Sequence, residues 1–104
     1  METKYNISTH TPLGDESFTI VFEHNAGSII TATGGFISGD KGTLRFANIR
    51  IGNDGESLNF SATTEVPFNV TLNFDAIFSN NESIINGRVA VGEYGNVDFF
   101  GSRD

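Results

Sequence analysis

Between residues 68 and 78 the chain alternates with a period of two. Phe68, Val70, Leu72, Phe74, Ala76 and Phe78 fall on one side, and Asn69, Thr71, Asn73 and Asp75 on the other. Successive side chains of an extended strand point to opposite faces, so the run predicts a β-strand with one buried and one wetted face. An amphipathic helix needs apolar residues three and four apart, and no long window of the chain supplies that spacing. Shorter alternating runs occur at Phe18, Ile20 and Phe22, and at Leu58, Phe60 and Ala62.

Segments rich in Gly, Asn and Asp separate these runs at 11–15, 25–27, 52–55, 79–82 and 92–95. Gly and Asn accept the positive φ that tight hairpins demand, so each segment reads as a turn. The expected strands are 3–10, 16–24, 28–33, 43–51, 56–65, 67–78, 83–91 and 96–103. Residues 34–42 (GGFISGDKG) are expected to form a longer connection holding at most a short irregular strand. Pro67 has no N–H to give a ladder and marks a corner or a bulge. Leu44 and Phe46 are apolar at even positions, Ile49 and Ile51 at odd ones. That phase change predicts a bulge near Ala47 and Asn48.

Short strands joined by hairpins must hide an apolar face and two edges, and closing the sheet does both. The fold expected is all-β: an eight-stranded antiparallel up-and-down barrel forming a single domain over 1–104. A two-layer β-sandwich is the alternative. Tyr5, Phe18, Phe22, Phe46, Phe60, Phe68, Phe74, Phe78 and Phe99 fall on the inward face. A barrel of this size holds little beyond its own side chains, so the interior is expected to be filled, with at most a small pocket at one end.

Charge and composition narrow the function. The 104 residues carry 6 Lys or Arg against 13 Asp or Glu, a net charge of −7. Nucleic-acid binding needs clustered cations and is not expected. No run approaches the ~20 apolar residues of a membrane helix, and residues 1–5 lack the basic and apolar regions of a signal peptide, so no membrane partner and a cytoplasmic location are expected. With 0 Cys, disulfides, thiolate catalysis and Cys-ligated metals are out. His10 and His24 lie at opposite ends of the first hairpin, ~30 Å apart at strand rise, too far to share a metal. Lys41 is followed by Gly42 with no helix pattern after it, so 34–42 is not a phosphate loop. No nucleophile elbow occurs. No cofactor, metal site or catalytic residue is assigned.

With the start of the first strand called the lower end, the connection 34–42 lies at the upper end, where a binding mouth is expected. The candidate ligand-binding residues are Phe36 and Ile37 on that connection, with Asp15, His10, Glu93 and Tyr94 around the rim. The rim acids Asp15, Glu16, Asp40, Glu65 and Glu93 outweigh Lys41 and His10, a field that favours a cation or a neutral apolar molecule over an anion. The leading expectation is a non-enzymatic barrel that binds a small neutral hydrophobic molecule or a protein partner at the upper loops. The alternatives are a small isomerase or cyclase acting on a hydrophobic substrate with rim acids, and an acidic immunity-type or inhibitor-type interaction protein. Phe100 and Val21 point outward on polar strands, which suggests a homo-oligomer.

Tyr5 near the start of the first strand faces inward, and Arg103 near the end of the last strand shares a face with Val97 and Phe99. In a closed barrel the guanidinium stacks on the ring. This layout resembles the calycins (lipocalins and avidins), with Tyr5 where those proteins carry Trp and Thr3 where they carry Gly. Thr11 to Gly14 (TPLG), residues 58–67, residues 68–78 with Gly87, and residues 95–103 (GNVDFFGSR) also resemble small bacterial β-modules, found alone or appended to amidohydrolase-like enzymes. The resemblance implies the barrel and brings no assigned activity.

Overall fold

The alternating runs become strands of one antiparallel sheet. The computed structural model describes residues 1–11, 14–25, 29–39, 42–52, 57–64, 70–93 and 95–104. Its strands are β1 (Glu2–Thr11), β2 (Gly14–His24), β3 (Ala32–Gly39), β4 (Gly42–Arg45), β5 (Ala47–Ile51), β6 (Ser57–Thr64), β7 (Val70–Ser79), β8 (Ile84–Val91) and β9 (Asn96–Arg103). The order in the sheet is β4-β3-β2-β1-β9-β8-β7-β6-β5. The first and last strands pair with Tyr5 opposite Arg103 and Thr9 opposite Phe99. The two outermost strands, β4 and β5, follow one another in the chain with Phe46 between them. The sheet is therefore a nearly closed up-and-down barrel.

Nine strands stand where eight were expected, because the fourth is split. Through Phe46, whose N–H donates to Gly35 O at 2.9 Å, the chain runs along β3. It then crosses to β6, where Ala47 faces Ser61 and Arg50 faces Asn59, three residues advancing against two. Asn48 takes up the extra length with φ 57°. This is the bulge that the phase change predicts, and it hands the strand from one edge of the sheet to the other. The Phe46 ring turns into the barrel over Gly35, where any Cβ would stand 3.0 Å from the ring.

The third strand corrects the sequence reading. The expected strand 28–33 is a turn of 3-10 helix, Ile29–Thr31, and the start of β3. The expected connection 34–42 is mostly β3 itself, paired to β2 and β4. Phe36 and Ile37 thus lie within a three-stranded ladder and not on a loop. The calls on Pro67, Phe68, Asp40, Lys41, Glu65 and Tyr94 lie outside the described residues.

The interior is aromatic. Phe22 meets the rings of Tyr5, Phe46, Phe60 and Phe78 at 5.5–5.9 Å between centroids, and Phe74 stacks on Phe60 at 4.9 Å. Ile7, Ile20, Leu58 and Ile85 fill between them, buried. Aromatic rings that meet edge-on or offset gain from their quadrupoles as well as from burial. The lower end is plugged: Ile29 is buried, and its N–H donates to Glu82 Oε1 at 3.1 Å. Glu82 sits in the β7–β8 turn, where Asn80, Asn81 and Glu82 all have positive φ. Among the described residues, no buried side-chain N or O lacks a hydrogen-bond partner.

Candidate functional site

The strand register decides which of the expected site residues meet. His10 and Asp15 are directly opposite on β1 and β2, and His10 Nδ1 lies 2.5 Å from Asp15 Oδ1. Both side chains lie mostly in water, 71% and 77% exposed. Glu93 is exposed in the turn that joins β8 to β9. Phe36 and Ile37 do not join them, because neighbouring residues of a strand face opposite ways. Ile37 packs against the core from within. Phe36 faces outward under the Arg45 guanidinium, 6.0 Å from the ring centre, and Arg45 pairs with Glu23 at 2.7 Å. The mouth expected around Phe36 and Ile37 is thus divided between two faces of the sheet.

Tyr5 and Arg103 are cross-strand partners. The ring of Tyr5 packs on Phe22 and Phe78, and its hydroxyl donates to Glu82 O at 2.5 Å. Burial pushes the phenol up to about 12; the Glu82 carboxylate adds to the rise and the Arg103 charge opposes it. Among the described residues the cation seated over a ring is Arg45 on Phe36, not Arg103 on Tyr5. His24 closes the same end: its Nδ1–H donates to Asn25 O, and its Nε2 meets Thr3 Oγ1, both at 2.7 Å.

An open groove of about 400 Å³ lies on the outside of the barrel. His10, Arg88, Asn96, Val97, Asp98 and Phe100 line it. Three strands build it, because β1 pairs with β9 and β9 with β8. Phe100 is 48% exposed, and its ring centre lies 5.9 Å from that of His10. Opposite Phe100 stand Ser8 on β1 and Asn86 on β8, both short and polar, so the ring rises above its neighbours. Arg88 Nε donates to Asp98 Oδ1 at 3.1 Å. A polar row crosses five strands beside the groove, with Arg50, Asn59, Asp75, Arg88 and Asp98 opposite one another in turn.

Sequence reasoning found His10, Asp15 and the outward Phe100, but placed no site on the β8–β9 face. The signal available was Phe100 as the one large apolar side chain among Asn96, Asp98 and Ser102 on the outer face of the last strand. Arg88 beside Asp98 had no signal, since their meeting depends on register.

Chemically, the groove offers a flat apolar ring, the Arg88–Asp98 ion pair, an imidazole hydrogen-bonded to Asp15 and an amide. A general acid or base works best from an apolar setting that tunes its proton affinity, and His10 and Asp15 are held in water. Among the described residues no group of three or more His, Asp or Glu is placed to hold a metal ion. Comparison with known proteins returns no match: no family model, no curated protein and no solved structure.

Proposed function

We propose that the chain is a non-catalytic, calycin-like barrel that recognises a protein partner with the outer face of β1, β9 and β8. The observation that carries this reading is the contrast between the two sides of the sheet. Inside, rings and aliphatic side chains pack against one another. Outside, Phe100 is left half-exposed in a groove rimmed by polar groups. An exposed aromatic centre with a polar rim is the anatomy of a binding hot spot. The isomerase or cyclase alternative draws on Glu93, Tyr94, Asp15 and His10, of which His10 lines this groove, and His10 and Asp15 lie mostly in water.

Native mass spectrometry of the protein purified from its own source, without denaturation, tests the reading. A complex with a second protein chain is expected, and Phe100→Ser is expected to abolish it. A retained small-molecule mass that survives Phe100→Ser contradicts the reading and favours a hydrophobic ligand held inside the barrel.

A further inference from the structure

Building on the outer-face docking reading, we propose that the partner presents a basic segment and lays an arginine side chain on the Phe100 ring, between Asp98 and the His10–Asp15 pair. Phe100 is 48% exposed, and apart from the His10 ring 5.9 Å away its cross-strand neighbours are the short Ser8 and Asn86, which leaves part of the ring open to a planar group. A guanidinium stacks on an aromatic face and, in the same pose, donates hydrogen bonds sideways to carboxylates. Asp98 lines the groove, and Asp15 stands beside it through its contact with His10. The groove's own cation does not oppose such a guest strongly. Arg88 is paired with Asp98 at 3.1 Å and stands opposite Asp75 as well. Glu93, in the adjoining turn, adds a further acid.

The other classes of occupant meet specific costs. A second copy of the chain brings a net charge of −7 to a chain that already carries −7. An anionic partner meets the same repulsion. A purely apolar partner would strip water from Asp15 and Asp98 without replacing its hydrogen bonds. A basic segment gains from both the ring and the charges, and the acidic field speeds its approach.

The test is an amide NMR titration of the full chain with a capped peptide of alternating arginine and glycine, alongside matched lysine and glutamate peptides. Saturable shifts centred on His10, Asp98 and Phe100 are expected with the arginine peptide. Phe100→Ala is expected to weaken its binding about five-fold, and the lysine peptide to bind about as weakly as that variant does. Asp98→Asn, a change on the exposed rim, is expected to weaken the arginine peptide as well. Shifts spread evenly to remote acids such as Glu2, Glu23 and Asp104, or equal binding of both peptides whether or not Phe100 is present, would overturn the proposal. So would a dimer in sedimentation that Phe100→Ala dissolves, since a second copy would then cover the ring. A Phe100-dependent protein complex with no binding of the arginine peptide would overturn the arginine chemistry and leave the docking face standing. A complex indifferent to Phe100 would remove both.

Discussion

At Gly87 the barrel wall has room for a hydrogen and nothing larger. A Cβ there would stand 2.1 Å from the Asp75 carbonyl oxygen and 2.8 Å from the Phe99 ring. The glycine lets that ring lie flat across β8, the small-against-large fit by which narrow barrels fill their interiors. Gly87→Ala is expected to destabilise the fold by about 1–3 kcal/mol through overpacking, read as a fall in the urea midpoint at unchanged slope. Tyr5 makes a second prediction. Its phenol titrates at about 12 in the folded chain against 10.0 for an ordinary tyrosine, because burial and then the Glu82 charge disfavour the phenolate. Between those values the unfolded chain gives up a proton that the native chain keeps. The stability contributed by Tyr5 is therefore complete below pH 10 and drains away as the pH rises towards 12. Tyr5→Phe loses the hydrogen bond to Glu82 O, at a cost of about 1 kcal/mol, and carries no such titration. The gap between wild type and variant in urea unfolding is expected to shrink and then reverse as the pH climbs through that window; a constant gap would contradict the assignment.

Among the elements, the split between β4 and β5 turns an open meander into a nearly closed barrel. Asn48 bears the positive φ of that crossing. Asparagine tolerates this conformation, glycine accepts it freely, and a β-branched residue resists it. Asn48→Gly is expected to unfold near the wild-type midpoint, and Asn48→Val to lose about 1–2 kcal/mol; equal midpoints would remove the role given to the bulge. This crossing was legible in the sequence, because Leu44, Phe46, Ile49 and Ile51 show the alternation changing phase. The β9 span was legible too, from Val97 and Phe99 set between polar neighbours and from the turn before them. The start of β3 was not. Its Gly34, Gly35 and Gly39 have no side chains with which to show a period. The β-branched run Ile29–Thr31 looks like strand but winds into a 3-10 turn. Burial of Ile29 at the lower end and its N–H bond to Glu82 decide that conformation, and both contacts are distant in sequence. The groove was legible only in part, for the same reason. Phe100 stands out on its own strand, whereas its nearness to His10 and the Arg88–Asp98 pair follow from register.

For the whole molecule, the alternating pattern divides labour between the two sides of one sheet. The inward set spends its apolar surface on itself, ring against ring, and burial of each phenylalanine is worth about 1.5–3 kcal/mol. The outward set is mostly Ser, Thr, Asn and charged residues, among which Phe100 and Ile77 remain large and exposed. On the proposed reading recognition takes place on the outside of the barrel, and a hydrophobic molecule finds no place within. Methyl NMR of Ile7, Ile20, Leu58 and Ile85, buried in the core, tests this directly when the protein is titrated with N-phenyl-1-naphthylamine, a neutral apolar probe. These interior methyl resonances are expected to stay where they are. Saturable shifts at those methyls would show that the barrel opens to admit a ligand, and would contradict that reading.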